Sequence, residues 1–414
     1  MGYIIQKGCD LIRVQVCDSI MGSGKSMSAI RYINETDRKF IYLSPYLEEG
    51  KRIKDACPDK DFKEPCSDAD TTKLQDLHKL LRDGENVVST HALFKCFNET
   101  TINLVKAGDY ELVLDEALNV IEVLELSAYD RNTLIQSDYI TVAEDNTVQW
   151  NESKYEGNFT ALKKAMQNGK VTYFKDSVFI WEFPIEAFKA FTKITVLTYL
   201  FSSQVLAYYL QLHNIPYEFI GVKKNASGHQ FCNIDDPECI TKIQNLGELI
   251  NIVERKKYNA IGEKNTALSV SWYNKLSTTD RLKMRKLIRN VFVSAMKAKS
   301  TETLWTMFLS AKDDMIDDNY FGYKKSFLSC SIRATNRYKD RDKLAYCINV
   351  FMNPMLKNYI ADHGVTVSLN GYALSEMIQW IWRSAIRDGK PIQVFVPSRR
   401  MRNLLTDWIA EVSS

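Results

Sequence analysis

The stretch IRVQVCDSIMGSGKS, residues 12–26, decides the fold of the first half of the chain. Residues 12–17 are rich in β-branched side chains, which predicts a buried strand. A loop with two glycines follows, and residues 26–33 have the spacing of an amphipathic helix. A strand that leads through a glycine loop into a helix is the arrangement of a phosphate-binding loop.

The residues of this loop have the chemistry that a triphosphate requires. Gly22 and Gly24 can adopt backbone angles that turn successive N–H groups toward one anion, with Ser23 between them. Lys25 would neutralise β- and γ-phosphate oxygens, and the hydroxyl of Ser26 would be a ligand of Mg²⁺. We therefore predict a nucleoside triphosphate site here; the alternative is a glycine turn that only caps a helix.

Outward from this stretch, apolar runs alternate with helical patterns up to about residue 200. The predicted strands are 12–17, 40–44, 86–89, 112–114 and 194–198, and the predicted helices are 26–33, 46–56, 72–81 and 118–126. This repetition indicates parallel strands with helices on both faces of a sheet. Hairpin strands at 139–142, 147–150 and 171–181, with a helix at 159–168, predict an elaboration at about 127–180.

The second half is also predicted to be α/β. A helix at 202–213 and a strand at 217–222 precede a polar, turn-rich linker at 223–240. Beyond it we predict helices at 241–255, 279–311, 374–387 and 398–412, and strands at 266–271, 327–329, 344–349 and 392–396. We expect two domains, residues 1–225 and 226–414, the second with a helical segment at about 279–311.

Two acids end a second apolar run, ELVLDEA at residues 111–117. A buried strand would deliver Asp115 to the sheet edge that carries the glycine loop. There Asp115 can hold Mg²⁺, and Glu116 can orient and deprotonate an attacking water. The alternative is that both acids begin the next helix, whose N-terminus favours negative charge.

Three polar residues near the end of the chain recur every four positions. Gln379, Arg383 and Arg387 would therefore lie on one face of the predicted helix. An arginine fork aimed at a γ-phosphate stabilises the charge that spreads over the transferring oxygens. The alternative is a stripe of arginines in contact with solvent.

Composition excludes some classes of protein and leaves others open. With 54 Lys and Arg against 51 Asp and Glu, the net charge of +3 argues little for a polyanion partner. The basic clusters at 281–289 and 399–402 are candidate phosphate contacts. Nine cysteines without a CxxC pair indicate no zinc knuckle and suit a reducing compartment. No stretch has the length and apolarity of a membrane span.

In their order along the chain, these motifs resemble those of superfamily-2 helicases of the DEAD/DEAH-box kind, in a divergent form such as bacteriophages encode. The glycine loop, with Ser19 six places before its lysine, is similar to the first helicase motif. Asp115 and Glu116 are similar to the second, although Leu118 stands at its fourth position. Gln379 and the two arginines resemble the last, although Trp382 replaces its glycine and Arg387 stands one position late.

The resemblance implies two RecA-like domains in tandem that bind ATP and Mg²⁺ between them. It also implies a helicase or translocase that hydrolyses ATP while moving along DNA or RNA. Lys25 and Glu116 would be catalytic in the first domain and Gln379, Arg383 and Arg387 in the second. Expected partners are single-stranded or forked DNA and replication or recombination proteins, without a membrane, in the cytoplasm of the host.

The weaker motifs predict contacts with nucleic acid. They follow three predicted strands and one polar cluster of the second half, and they comprise Ser44, Pro45, Thr90, His91, Thr198, Arg333, Thr335 and Asn336. Two other classes of protein remain open. One is a packaging or translocating ATPase that never unwinds a duplex, and the other is a nucleotide-binding switch that does not hydrolyse.

Overall fold

The computed structural model describes residues 12–152, 154–243, 245–315, 324–330 and 337–413. The chain forms two compact units. The first contains the described residues through Ser19 together with Ser23–Cys239 and Asn353–Val367. The second contains Ile20–Gly22, Ile240–Met352 and the residues from Ser368 onward. Arg333, Thr335 and Asn336, predicted to contact nucleic acid, lie outside the described residues.

The first unit is built on twelve strands of the described chain. They are β1 (Arg13–Asp18), β2 (Lys39–Ser44), β3 (Val87–Thr90), β4 (Tyr110–Asp115), β5 (Ile121–Leu124), β6 (Ile140–Val142), β7 (Val148–Trp150), β8 (Lys170–Phe174), β9 (Val178–Glu182), β10 (Lys193–Thr198), β11 (Tyr217–Asn225) and β12 (Gly228–Asn233). Seven of them form one sheet in the order β12-β11-β1-β10-β4-β2-β3, parallel except for the antiparallel pair β11–β12.

Helices join these strands and cover the sheet. In the first half they are α1 (Lys25–Glu35), α2 (Leu47–Ala56), α3 (Lys73–Arg82), α4 (His91–Phe94), α5 (Glu99–Ala107), α6 (Ala128–Gln136), α7 (Thr160–Gln167), α8 (Ile185–Lys189) and α9 (Val205–Leu212). The central strands are buried along almost their whole length because both faces of a parallel sheet are covered. Phe40, Tyr42 and Tyr110 are among its fully buried side chains.

The elaboration contains a second, antiparallel sheet in the order β5-β9-β8 and the hairpin β6–β7. The predicted helix at 118–126 is wrong, because residues 121–124 form β5 and pair with β9. The apolar residues there supply one edge of a sheet, and short apolar runs do not distinguish a strand from a buried helix. The predicted hairpin strands and the helix at 159–168 correspond to β6–β9 and α7.

The predicted linker at 223–240 is wrong in its first half. β11 continues to Asn225, and β12 returns along it in antiparallel register, so residues through 233 belong to the main sheet. The turn between them has polar residues and glycine, which explains why the sequence resembles a linker. The first unit therefore extends to Cys239 instead of ending at residue 225.

The second unit has a four-stranded parallel sheet in the order β13-β16-β15-β14. Its strands are β13 (Ile250–Ile252), β14 (Thr303–Thr306), β15 (Lys343–Tyr346) and β16 (Ile392–Phe395). The helices of the second half are α10 (Leu246–Leu249), α11 (Lys256–Asn259), α12 (Val270–Asn274), α13 (Thr278–Asn290), α14 (Leu309–Met315), α15 (Pro354–Asp362), α16 (Leu369–Ile381) and α17 (Arg399–Ser413). Trp305, Tyr346 and Trp380 are fully buried in this unit.

Several predictions for the second half are wrong in detail. The predicted helix at 241–255 contains strand β13, and the predicted strand at 266–271 contains the start of α12. The predicted helix at 279–311 ends at Asn290, where one turn of π-helix follows and the chain then enters β14. Residues 327–329 contribute a single bridge, from Phe327 to Trp305.

Helix α15 belongs to the first unit although it follows most of the second in sequence. The hydroxyl of Tyr359 donates to Oε2 of Glu182 on β9 at 3.0 Å, and its ring packs edge-on against Phe174 at 5.4 Å. Lys175 and Asp362 form an ion pair at 2.8 Å. These contacts attach the returning segment to the sheet of the elaboration. Among the residues that the structure describes, no helix is both long and apolar enough to span a bilayer.

Candidate functional site

The glycine loop connects β1 to α1, as predicted. Gly22 and Gly24 have φ angles of +82° and +96°, a left-handed backbone that side chains disfavour. Gly24 is the N-cap of α1 and has no side chain to occupy the first N–H groups of the helix. These groups remain available for an anion, and the positive end of the helix dipole favours one.

Lys25 lies beside the carboxylates that the sequence predicted. Its Nζ donates to the carbonyl oxygen of Ser19 at 2.5 Å, which holds the side chain along the loop. Burial lowers the pKa of Lys25, and the nearby charges of Glu116 and Asp115 act in the opposite direction. Ser19 itself is buried, so a small residue fits where a strict phosphate loop has glycine.

The acid pair ends strand β4, which is separated from β1 by β10 alone. Because these strands are parallel, their carboxyl ends meet at one edge of the sheet. Burial, followed by the charge of Glu116, raises the pKa of Asp115 to about 6. The hydroxyl of Tyr42 donates to Asp115 Oδ2 at 2.8 Å, which stabilises the charged form.

Glu116 adopts a left-handed backbone, with φ at +64°. Its N–H donates to the carbonyl oxygen of Leu197 at 2.9 Å, so the chain leaves the sheet immediately after Asp115. The alternative that both acids begin a helix is wrong, since the next regular element is strand β5. A left-handed non-glycine residue is uncommon and often marks a functional position.

The residues of the loop and the acid pair fit a magnesium–nucleotide complex. The hydroxyl of Ser23 is buried without a hydrogen-bond partner among the described residues, and a phosphate oxygen would supply one. Mg²⁺ in such complexes is held by one or two protein oxygens together with phosphates and water. Ser26 and Asp115 are the candidate protein ligands. In the described part of the chain, no cluster of three acidic, histidine or cysteine side chains offers a separate metal site.

Five predicted nucleic-acid contacts lie where strands β2, β3 and β10 end. Ser44 is buried and donates to the carbonyl oxygen of Tyr46 at 2.7 Å, with Pro45 between them. Thr90 caps α4 by accepting from the N–H of Leu93 at 3.4 Å. These hydroxyls shape the turns at the sheet edge, and their contact with nucleic acid stays a prediction.

The other two predicted contacts are engaged with the site itself. Nε2 of His91 lies 3.0 Å from the carbonyl oxygen of Asp115. Thr198 is buried, and its hydroxyl accepts from the amide of Gln204 at 3.0 Å. Both side chains therefore form hydrogen bonds within the protein at strand ends next to the acid pair. Their contact with nucleic acid stays a prediction.

Sequence reasoning missed four residues of this edge. Asp18 accepts from the N–H groups of Leu200 and Phe201 at 2.7 and 3.0 Å, and thereby ties the end of β1 to the turn after β10. Also missed are Tyr42 and Gln204, which hydrogen-bond Asp115 and Thr198, and His229, whose ring packs against Gly24. An acid that ends an apolar strand was a usable signal for Asp18, whereas Tyr42 and His229 depend on contacts between distant segments and Gln204 depends on the local turn after β10.

The predicted helix face with Gln379, Arg383 and Arg387 does not exist. Helix α16 ends at Ile381, and the carbonyl oxygen of that residue accepts from the hydroxyl of Ser384 at 2.6 Å. Arg383 lies in the following turn, and Arg387 lies in a separate 3₁₀ turn at Ala385–Asp388. Gln379 and Arg383 are buried and Arg387 is exposed. The alternative prediction, a stripe of side chains in contact with solvent, is therefore also wrong for Gln379 and Arg383.

The basic residues at the start of α17 are used within the second unit. Nη1 of Arg400 donates to Oδ1 of Asn349 at 3.0 Å and to the carbonyl oxygen of Val350 at 2.8 Å. Nη1 of Arg402 donates to the carbonyl oxygen of Val396 at 2.9 Å. Arg400 and Arg402 thus stabilise loops of the second unit, so they are weaker candidates for contacts with phosphate. The basic cluster at 281–289 remains a candidate.

The fold and the site define a mixed α/β protein with a parallel or mostly parallel sheet in each unit, and with Lys25 near an acid pair at the sheet edge of the first. The predicted α/β fold class is confirmed. Residues 244–409 match the model of the YonV C-terminal Rossmann-like domain, and residues 121–181 match that of the YonV middle domain.

The chain belongs to the YonV family. It is 39% identical over 410 residues to the SPbeta prophage-derived uncharacterized protein YonV of Bacillus subtilis (strain 168), an alignment that covers 96% of this chain and 98% of that protein. The prophage origin of this relative agrees with the expected bacteriophage type.

Among solved structures, the chain is similar to Xpd4 of S. tokodaii, with a TM-score of 0.50 and 11% identity over 96% of this chain and 94% of that one. An apo XPD structure aligns over 96% of both chains with a TM-score of 0.49 and 10% identity. At this level of identity the similarity to Xpd4 concerns the fold, and it supports the tandem α/β architecture.

Proposed function

We propose that the chain is an ATP-dependent nucleic-acid helicase or translocase. One observation carries this proposal: Lys25 on the glycine loop and the pair Asp115–Glu116 meet at the carboxyl edge of one parallel sheet. The order of the weaker motifs and the Xpd4-like fold support a motor over an isolated nucleotide-binding domain.

In this mechanism the loop binds the phosphates of ATP through its N–H groups and Lys25. Ser26 and Asp115 would hold Mg²⁺, which would neutralise charge on the phosphate oxygens. Glu116 orients the attacking water and accepts its proton as the bond to the γ-phosphate forms and the bond to the β-phosphate oxygen breaks. Arg383 of the second unit is the proposed arginine finger, and Gln379, four residues before it in sequence, is proposed to act with it.

Movement along the strand follows from changes between nucleotide states. Binding and hydrolysis of ATP alter the arrangement of two domains that each contact the nucleic-acid backbone. Contacts to phosphates and sugars suffice for such movement, so no base sequence is preferred. The proposed partner is single-stranded or forked DNA.

The test is the rate of ATP hydrolysis with and without single-stranded DNA, for wild type, Glu116→Gln and Glu125→Gln. Loss of a positioned general base lowers turnover by about 10²–10⁴-fold, so Glu116→Gln should lose DNA-stimulated hydrolysis and still bind ATP. The exposed Glu125 lies outside the site and serves as the matched control.

Each outcome selects one class of protein. Stimulated turnover that only Glu116→Gln abolishes supports the motor, and a forked-duplex assay then separates a helicase from a packaging or translocating ATPase. Tight ATP binding without turnover in any of the three proteins indicates a nucleotide switch and contradicts the proposal.

A further inference from the structure

A second surface adjoins the glycine loop on the side away from the acid pair. The hairpin β11–β12 folds over helix α1, where Nη1 of Arg31 donates to Oγ of Ser227 at 2.9 Å. The rings of Tyr32 and Phe231 pack with their centroids 6.4 Å apart. The hairpin is thus fixed on the helix that begins at the phosphate loop.

The side chain of His229 projects from this hairpin onto the loop itself. A Cβ atom placed on Gly24 would lie 2.2 Å from Cδ2 and 2.5 Å from Cγ of His229. The imidazole therefore packs directly on the backbone of the residue that precedes Lys25. The ring therefore lies beside the start of α1, at the end of the loop.

A groove of about 390 Å³ extends from His229 along α1. Its lining includes Met27 and Ile30, and the side chain of Met27 is 50% exposed, so it is accessible to a ligand in the groove. Arg31 lines the groove with its guanidinium held by Glu35 at 2.7 Å and by Ser227. The surface combines apolar faces with fixed donors and acceptors, as small-molecule sites do.

The direction of a bound triphosphate follows from the loop. Lys25 reaches the β- and γ-phosphates, and Ser26 is placed for their metal ion. The α-phosphate and the nucleoside must then leave the loop past the first turn of α1, where Met27 lies. We propose that the groove between α1 and the hairpin β11–β12 binds the ribose and base of a purine nucleotide. This inference rests on the proposed function of the loop.

Different residues that line the groove would contact different parts of the nucleotide. The thioether of Met27 and the imidazole of His229 pack on the faces of the sugar and the purine ring, since both side chains favour contact with aromatic rings. Arg31 and Glu35 pair with each other through Nε and Oε1, and the remaining Nη2 donor and Oε2 acceptor can hydrogen-bond the polar edge of the base. A purine fills more of this groove than a pyrimidine, so ATP should bind more tightly than UTP.

The test compares the affinity of Mg-ATP with that of Mg-tripolyphosphate, which lacks the nucleoside, by titration calorimetry. Stacking of one base contributes enough that wild type should bind ATP about tenfold more tightly or better. His229→Ala should lose most of this difference and keep its affinity for tripolyphosphate. Gln230→Ala is the control, because Gln230 lies on the same strand and alternate residues face opposite sides.

A second variant keeps the test valid if His229→Ala disturbs folding. Met27→Ala removes an exposed side chain from a helix, so it should fold normally and also weaken ATP without weakening tripolyphosphate. The proposed nucleoside groove is wrong if wild type binds ATP and tripolyphosphate with equal affinity. It is also wrong if His229→Ala and Met27→Ala each lose as much affinity for tripolyphosphate as for ATP. In both cases the phosphate site is unaffected. Failure of both ligands to bind wild type would overturn the phosphate site and the groove together.

Discussion

Asp115 lies in surroundings that favour its neutral form, although its proposed role requires the charged one. Its pKa is raised from 3.8 to about 6, so the folded protein binds this proton more tightly than the unfolded chain. The stability that the group contributes is therefore present below its unfolded pKa and is lost as the pH rises through about 6. A bound cation would reverse this preference.

Asp115→Asn should therefore stabilise the nucleotide-free protein at neutral pH. Asparagine stays uncharged and can still accept from Tyr42, and the gain is on the order of 1 kcal/mol once partial exposure is allowed for. Urea unfolding at neutral pH and below 3.8 measures it, and the gain should vanish in acid. A gain in Glu125→Gln of the same size, or a gain that persists in acid, would contradict the assignment.

Arg383 and Arg387 have different environments, which allows one to serve as the control for the other. If Arg383 is the finger, Arg383→Ala should reduce the single-turnover rate of hydrolysis by about 10³-fold or more, and ATP affinity should change little. The exposed Arg387 should tolerate alanine within a few-fold. Melting temperatures check that both variants fold, and equal rate losses in the two would exclude the assignment.

At the scale of the elements, the junction of β1, the glycine loop and α1 carries strain that only glycine relieves. Gly24 has both a positive φ and the ring of His229 in the place of a Cβ atom. Gly22 has the positive φ alone, with nothing within 4 Å of an added Cβ. A comparison of substitutions at the two glycines thus distinguishes the cost of backbone strain from the cost of a steric clash with His229.

Gly22→Ala should destabilise the folded protein by about 1–2 kcal/mol, and Gly24→Ala by clearly more. Adding His229→Ala to Gly24→Ala should remove only the steric contribution to the loss of stability. The remaining loss of stability should then be close to that of Gly22→Ala. Denaturant midpoints of the four proteins provide the comparison. If the double variant is no more stable than Gly24→Ala, the ring does not limit the side chain at this position.

The same junction shows how far the sequence predicts the fold. The predicted ends of β1, α1, β2, β4 and β10 all lie within two residues of the observed ends, because each strand has a clear apolar run and the glycine loop marks the start of α1. β5, β13 and α12 were assigned the wrong structure. Their runs are three to five residues long, so the strand pairing that decides them comes from residues far away in sequence.

The site was predictable where chemistry depends on adjacent residues. Lys25 and Ser26 follow their glycines directly, and Asp115 and Glu116 end one strand. Tyr42 and His229 reach the site through tertiary packing that no local pattern encodes. The spacing of Gln379, Arg383 and Arg387 was misleading, because the turn after Ile381 interrupts the helix on which the prediction relied.

At the scale of the whole molecule, the first unit is discontinuous in sequence. The chain passes from it into the second unit, returns for residues 353–367 and then leaves again. Leu356, Tyr359 and Ile360 of α15 are buried in the structure. Residues 1–239 alone lack this helix and expose the surface that it covers on the elaboration.

A fragment of residues 1–239 should melt at a lower temperature than the same fragment with residues 353–367 attached through a flexible glycine–serine linker. The attached helix restores the ion pair of Lys175 with Asp362 and the hydrogen bond of Tyr359 to Glu182. The same fusion with Tyr359→Phe should regain less, by about 1 kcal/mol. Identical melting curves for all three would show that α15 adds nothing to this unit.

The return of α15 also sets an order of events during synthesis. A ribosome that has made residues 1–239 releases a domain whose elaboration still lacks its last helix, and more than a hundred further residues are added before that helix emerges. Domains generally fold as units from the N-terminus as they are made, but this one must wait for a segment encoded more than a hundred codons further along its message. Truncation by a late stop codon upstream of residue 353 would thus damage the N-terminal half as well as the C-terminal one.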